Sequence, residues 1–542
     1  MRSVQQFDYI IIGAGAAGCV LANRLSESGK HTVLLLEAGG HDKRFYVQMP
    51  LGYGKTFYDP TVNWMYAAEP DPGLNGQSDH WPRGKIIGGS SSINAMVYIR
   101  GHQDDYETWG ETAGPDWGWD SVLAAYKQME DTESGGNAWR GSGGPLRVSD
   151  TSKQVHPLTQ KYIDACTAVG LPFNPDFNGE TQEGAGTYQL TTRKGQRLSS
   201  ARAFLWPAAK RKHLQIEKNA HALRMTFDGS RATGVVYEQY GETKTAFAGR
   251  EIIISGGAIN SPQLLMLSGI GPAQQLQSLG IDVKHNSANV GQNLEDHVGL
   301  NYTFRMKVPT LNDALSPWHG KLKAGLQYLL FRTGPLSLSI NHGGGFFKTS
   351  PDLPRPNMQL YMQAFSTLLP RAGERPILNP DPFSGLSIGL SNCRPTSRGA
   401  ITLKSADPMQ HPKIIANAYS TEHDVREMLA AVKFIRRIAS ASPFAELVSE
   451  ELRPGPQVQS DADLIHDFRQ RSGTVYHPSC TARMGRGALT SVVDGRLRVH
   501  GVQGLRVCDA SVFPNLIAGN TNAPSMLVGW KGAEIILADA NG

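Results

Sequence analysis

The sequence predicts an α/β region built on a parallel sheet, interleaved along the chain with an α+β region that carries an antiparallel sheet. Three observations predict it. Continuous apolar runs at Tyr9–Ile12 and Thr32–Leu36 flank a glycine-rich turn and a helical stretch, the order of a strand–helix–strand unit buried on both faces. A third such run, Ile252–Ile254, returns more than two hundred residues later and is followed at once by Gly256-Gly257, so a distant segment completes the same sheet. Between about residues 300 and 470 the pattern changes to period-2 alternation, which marks strands with one apolar face.

The first unit reads strand, Gly13-Ala-Gly15-Ala-Ala-Gly18, helix from Cys19 to Ser28, strand, then Glu37, 24 residues after Gly13. Each part has a physical use. Gly13 permits the tight turn, Gly15 lets a pyrophosphate approach the backbone, and Gly18 lets the helix pack on the sheet. The free N–H groups at the helix start attract phosphate. Glu37 can accept from a ribose hydroxyl and would repel a 2′-phosphate. A dinucleotide other than NADP is expected, with FAD and NAD both open at this point. Gly54-Lys55-Thr56 is not a P-loop, because the glycine required five residues earlier is Met49.

The second element, Gly84 to Val97, contains Gly88-Gly89-Ser90-Ser91-Ser92-Ile93-Asn94. Small residues at this density suit a backbone wrapped round a ligand, or simply a turn before a strand. The third, Gly257-Ala-Ile-Asn-Ser261-Pro262 to Gly271, repeats strand, glycine turn and helix. In the middle region Met358, Leu360 and Met362 alternate with Gln359, Tyr361 and Gln363, and Leu386, Ile388 and Leu390 alternate with small residues. Ala400 to Lys404 continues the pattern. Thr421-Glu-His-Asp424 predicts a helix start with a capping box, and Val425, Met428, Leu429, Val432 and Ile435 form its apolar face. Near the end come Tyr476-His477-Pro478, a strand reaching Asp509, and Gly519-Asn520-Thr-Asn522-Ala-Pro524 before an apolar helix.

Composition narrows the class. The 542 residues suffice for two to four domains at roughly 100–200 each. A net charge of +5 without any run of like charges gives no reason to expect nucleic acid. Five scattered cysteines, never spaced C-x-x-C, indicate neither disulfides nor a metal site and suit a reducing compartment. No run of 18 apolar residues occurs, and Asp8–Ala22 is cut by Gly13, Gly15 and Gly18, so neither a membrane span nor a leader is expected. A cytoplasmic protein is the expectation. There is no H-E-x-x-H and no G-x-S-x-G.

Together the blocks at Gly13–Gly18, Gly84–Asn94, Gly257–Gly271, Val290-Gly-Gln-Asn-Leu-Glu-Asp-His297 and the C-terminal motifs resemble the glucose–methanol–choline (GMC) family of FAD-dependent oxidoreductases. The resemblance runs from about Asp8 to the last helix, and within the family it is strongest to the bacterial choline-dehydrogenase-like and aliphatic alcohol dehydrogenases. It implies a Rossmann-like FAD-binding domain at 1–155, 195–305 and 465–542, interleaved with an α+β substrate domain at 156–194 and 306–464. It implies that Gly13, Gly15, Ala16, Ala17, Gly18, Glu37 and Ala38 hold the ADP half of FAD with Ala222 beside the adenine. Gly89, Ser90, Asn94, Ala95, Met96 and Val97 would line the flavin half, with Trp64 and Arg83 nearby and Asp509, Ala510, Asn522 and Pro524 on the isoalloxazine side. Some members attach the flavin through a histidine just before the asparagine of the Gly-Gly-Ser block. Ile93 stands there, so noncovalent FAD is expected.

Alcohol oxidation removes a hydride, which a flavin can take, and a proton, which needs an acceptor on the protein. Among 16 histidines the resemblance selects His477 as that base and Asn522 as hydrogen-bonding partner of the substrate oxygen. The chain departs from its near relatives after His-Pro: Ser479-Cys480-Thr481-Ala482-Arg483-Met484-Gly485 stands where Val-Gly-Thr-Cys-Arg-Met-Gly is usual. Cys480 is expected to be a small buried residue. The implied reaction is oxidation of a primary alcohol, aliphatic or benzylic, to the aldehyde. Choline oxidation, an oxidase using O2, and a non-redox member such as a hydroxynitrile lyase or photodecarboxylase are the alternatives, the last suggested by Cys393-Arg394-Pro395. The partners are a small-molecule alcohol and an electron acceptor, quinone, dye or O2. Leu322–Phe347, rich in Leu and Phe and flanked by Trp318, Lys321 and Lys323, is either a core helix, a subunit contact or a peripheral membrane contact.

Overall fold

The computed structural model describes residues 5–368 and 379–541. Its first sheet runs Leu214–Lys218, Val33–Glu37, Gln5–Ile12, Glu242–Ile254, Arg231–Gln239, Ala220–Asp228, with Leu505–Val507 also paired to Glu242–Ile254. The apolar runs are the parallel part: Ile12 lies between Leu36 and Ile254, and all three are buried. The expected wholly parallel sheet is corrected at one edge. Ala220–Asp228 and Arg231–Gln239 form an antiparallel meander with Glu242–Ile254, joined by a two-residue turn in which Gly229 has φ 55°. Such a turn needs no crossover helix.

The helix Ala16–Leu25 packs on this sheet and against the C-terminal helix Asn522–Asn541. Two glycines allow the approach. A Cβ at Gly18 would lie 1.9 Å from the Gly13 carbonyl oxygen, and one at Gly529 would lie 2.6 Å from that of Ala17. Helix Ala16–Leu25 starts three residues before the expected Cys19, so the glycine turn feeds directly into it.

The second sheet is antiparallel throughout: Val448–Arg453, Val298–Met306, Gly385–Asn392, Met358–Gln363, Gly343–Phe347, Gly184–Thr187. Alternation decides its two faces. Tyr302, Phe304, Leu386 and Ile388 are buried in a core shared with the helix Glu422–Ala439, whose Arg436 lies over the Tyr302 ring. Burying Met428, Val432 and Ile435 of that helix is worth about 1.5–3 kcal/mol each. Thr421 caps it by accepting from the Asp424 N–H, but the expected reciprocal box is absent, because the Asp424 carboxylate accepts from the N–H groups of Thr396 and Ser397 instead.

Two expected boundaries move. The division at 305 cuts the strand Val298–Met306, which is paired along its length within the second sheet. Gly473–Thr474, expected with the nucleotide region, pairs with Val298–Gly299 of that sheet. The chain therefore crosses between the two sheets just before His477.

Among the buried polar groups one cluster ties distant loops together. Glu130 receives Arg100, the Arg140 Nε at 3.0 Å and the Gly141 N–H at 2.6 Å, while Arg140 Nη1 reaches Asp176 at 2.6 Å. No helix of the described residues is long and apolar enough to cross a membrane.

Candidate active site

Backbone conformation brings four distant segments onto one cavity. Gly13 has φ 103°, and a Cβ there would sit 2.4 Å from the Ser255 carbonyl oxygen. Only glycine fits such a position without strain. The Gly84–Asn94 segment, a short 3₁₀ turn at Gly89–Ser92 rather than the approach to a strand, packs on this loop, with the Gly88 N–H donating to the Ala14 carbonyl at 2.7 Å. The Glu37 carboxylate accepts from the N–H groups of Ala14 and Gly39, both at 2.8 Å. Burial pushes its pKa up to about 7, and those bonds and Lys85 act in the opposite direction. Asp509 accepts from the Gly257 N–H at 2.8 Å and the Ser261 hydroxyl at 2.5 Å, which locks the second glycine turn to the last strand.

The cavity these segments enclose holds about 800 Å³, at the large end for a ligand site. Gly13, Gly15, Ala16, Ala17, Glu37, Ala38, Trp64, Arg83, Gly89, Ser90, Asn94, Ala95, Met96, Val97, Ala222, Asp509, Ala510 and Asn522 all line it. Gly18 and Pro524 do not. Gly18 lies against the Gly13 carbonyl, and Pro524 is buried inside the terminal helix. The wall suits a dinucleotide. A Cβ at Gly257 would enter open space in the cavity, and the helix Ala16–Leu25 begins at its edge with no acidic residue in its first turn.

His477 stands where this wall meets the second sheet. Its backbone N–H donates to Asp296 Oδ1 at 2.8 Å, and the Thr474 hydroxyl donates to the other oxygen of the same carboxylate. Burial pushes Asp296 up to about 7. The ring is tied on both sides. His477 Nδ1 lies 2.9 Å from His297 Nδ1, and His297 Nε2 lies 3.0 Å from the Cys393 carbonyl oxygen. A carbonyl only accepts, so His297 carries its proton on Nε2. Burial lowers the His297 pKa to about 4, so its Nδ1 is a bare acceptor. His477 must then donate from Nδ1. Burial, followed by His297 and Arg83, holds the His477 pKa well below the usual histidine range, which leaves its Nε2 as a lone pair facing the cavity.

The residue across from that lone pair is Asn520, whose Nδ2 donates to it at 3.1 Å. Asn522, expected as the hydrogen-bonding partner of the substrate oxygen, is the first residue of the terminal helix and lines the cavity two positions further on. Both asparagines belong to one short motif. Gly519, with φ 115° and a missing Cβ 2.4 Å from Ile99 Cγ2, turns the backbone so that Asn520 and not Asn522 meets the histidine. The sequence reading also assigned no role to His297, although it lies in the Val290–His297 block. Met96 (φ 62°) and Tyr476 (φ 73°) line the cavity in left-handed conformations, a cost that concentrates at functional sites. Cys480 is buried with its thiol pushed up, as a small packing residue would be.

Beyond His477 the cavity runs along the second sheet, past Gly299, Asn301, Thr303, Tyr361, Gln363 and Ser387, to Arg453 and Arg471.

Comparison with known proteins agrees with this geometry. Family models described as GMC oxidoreductase match residues 7–299 and 395–529. The chain is 42% identical over 536 residues to an alcohol dehydrogenase [acceptor] of Pseudomonas putida, covering 98% of this chain and 96% of that protein. It is 40% identical to the human mitochondrial choline dehydrogenase, covering 99% and 90%. Pyridoxine 4-oxidase from Mesorbium loti superposes with a TM-score of 0.87 at 28% identity, covering 97% and 98%. A formate oxidase gives 0.92 at 26%, covering both chains fully. The protein belongs to the GMC oxidoreductase family.

Proposed function

We propose that the protein oxidises an uncharged primary alcohol, aliphatic or benzylic, to the aldehyde, with noncovalent FAD as cofactor and a quinone or dye rather than O2 as electron acceptor. One observation carries the reading: the chain from the Cys393 carbonyl through His297 leaves His477 Nε2 unprotonated at the cavity wall, where it accepts from Asn520 Nδ2. FAD, when bound, supplies the hydride acceptor. A substrate hydroxyl entering between the two side chains exchanges their hydrogen bond: it gives its proton to His477 Nε2, and its oxygen accepts from Asn520 Nδ2. Gly13, Gly15 and Glu37 would hold the ADP half, and Gly89 to Val97 the flavin half. Ile93 is buried and offers no nucleophile, which supports a noncovalent cofactor. The five free, buried cysteines suit a reducing cytoplasm. Cys393 is fully buried, and its carbonyl accepts from His297 Nε2.

The preference for uncharged substrates over choline rests on the far limb of the cavity. Arg453 and Arg471 line it; Arg471 is paired at two points with Asp467, so the Arg453 guanidinium is the cation that disfavours a quaternary ammonium. The decisive experiment is anaerobic mixing in the dark with hexanol, benzyl alcohol and choline. Hexanol and benzyl alcohol should bleach the flavin, with kcat/KM above that for choline. A choline preference of about tenfold, some 1.4 kcal/mol at the transition state, overturns the substrate assignment, and no bleaching by any alcohol overturns the reaction. In steady state a quinone analogue or phenazine dye should turn over faster than air-saturated buffer. Hydrogen peroxide formed at an equal rate would mean an oxidase.

The two asparagines separate in the same assay. Asn520→Ala should slow bleaching about tenfold, the loss of one hydrogen bond in a buried site. Asn522→Ala should cost less. The reverse order would return the role to Asn522.

A further inference from the structure

The largest group of exposed apolar side chains among the described residues lies on the helix Trp318–Phe331. Trp318 is 76% exposed, Leu330 and Phe331 are both 70%, and Leu322, Leu326 and Leu329 are each half exposed. At 3.6 residues per turn, positions 318, 322, 326, 329 and 330 fall on one side of the helix, opposite Ala324 and Tyr328, which are buried. Of the three alternatives for this segment, a core helix is the one the exposure rules out: the helix turns its apolar stripe outward. The opposite side of the helix and the later part of the Leu- and Phe-rich segment enter the core, where Phe346 and Phe347 belong to the second sheet. The stripe continues onto a neighbouring segment. The Phe45 ring packs edge-on to Tyr328, Phe45 is 50% exposed, and Tyr46 beside it is also exposed.

Charge selects what covers this face. Residues 43–48 and 318–332, which build it, contain Lys43, Arg44, Lys321, Lys323 and Arg332 and not one Asp or Glu, and Lys55 lies over the exposed Tyr46 ring. Lys321 and Lys323 flank the stripe on the helix itself and are exposed. A second copy of the chain docked through this face would set these cations against one another with no carboxylate between them. An anionic lipid surface complements them, and its acyl region accepts the Trp, Leu and Phe side chains.

We propose that this face docks on an anionic lipid bilayer, with the helix Trp318–Phe331 lying in the interface and Phe45 and Tyr46 entering beside it. The same two segments wall the cavity. Tyr53, Gly54, Phe57 and Tyr58 follow Phe45, and Ile340 and Asn341 follow the helix, all of them lining residues. The short turns Pro50–Gly52 and Pro335–Ser337 pack together between the surface and the cavity. Docking thus places the catalytic cavity against the membrane, where lipid-soluble alcohols and acceptors concentrate. The inference concerns where the protein sits and adds to the proposed reaction without depending on it.

The test is sedimentation of the full-length holoenzyme with vesicles of phosphatidylcholine alone or with about 30 mol % phosphatidylglycerol. The wild type should pellet with the anionic vesicles, and salt should weaken it. Leu326→Glu with Leu330→Glu, at exposed positions that leave the core intact, should lower partitioning by about tenfold or more. Lys321→Glu with Lys323→Glu should abolish the preference for phosphatidylglycerol. Dye-coupled turnover of a water-soluble alcohol should be unchanged in both variants, so a failure of docking and a failure of the proposed reaction are read separately. A wild type that stays in the supernatant with anionic vesicles overturns the proposal. So does a leucine variant that pellets as the wild type does, or one that converts a dimer to a monomer without any vesicle binding in the parent.

Discussion

His477→Ala should slow alcohol-dependent flavin bleaching by roughly 10²–10⁴-fold, the range for loss of a positioned general base, while FAD still binds. The retained binding follows from geometry, since the ring is held by His297 and Asn520 and not by the glycine turns. The pH profile provides a second reading. An ordinary histidine titrates near 6.5, so a surface base would lose activity as pH falls through about that value. Here burial, His297 and Arg83 all disfavour the charged ring, so the base stays unprotonated and the bleaching rate should remain level through pH 6.5 and fall only well below it. His297→Phe removes the acceptor for His477 Nδ1 and frees the imidazole to hold its proton on either nitrogen. It should lower the rate less than His477→Ala does. Stopped-flow measurement at several pH values checks both, and a His477→Ala rate equal to the wild type would remove His477 from the reaction.

Glu130→Ala should destabilise the protein by about 3–5 kcal/mol, because it leaves the buried Arg100 guanidinium without a carboxylate and Arg140 with Asp176 alone. Arg100 and Arg140 are fully buried, and Glu130 is the carboxylate they share. The effect reaches the site through packing. Ile99 precedes Arg100 and lies under Gly519, so a shift of that segment moves Asn520 away from His477. Acid tests the same cluster. Burial acts to raise the Glu130 pKa, but Arg100 and Arg140 outweigh it and hold the carboxyl below its usual value. A folded-state pKa below the unfolded one adds stability that is present above about 4.3 and is lost as pH falls through the folded value. Urea midpoints of wild type and variant should therefore lie far apart at pH 7 and converge in acid. An unchanged gap would mean that the ion cluster is not the source of the stability.

The sequence by itself determined the parts whose physics is local. Tyr9–Ile12 and Val33–Glu37 had to be buried parallel strands because no polar face interrupts them, and Gly13 had to be glycine because its φ is 103°. The alternation at Met358–Gln363 likewise fixed a strand with two unlike faces. What only the tertiary structure decided depends on register and on partners far apart in sequence. Whether Asn520 or Asn522 meets the histidine turns on the Gly519 backbone packing over Ile99, about 420 residues away. The protonation pattern of His477 is set by His297, 180 residues earlier, and through it by the Cys393 carbonyl. The strand Val298–Met306 joined the second sheet because its partners, Gly385–Asn392 and Val448–Arg453, lie downstream. The outward stripe of Trp318–Phe331 was equally hidden, since periodicity shows that a helix has an apolar side but not whether the fold covers it.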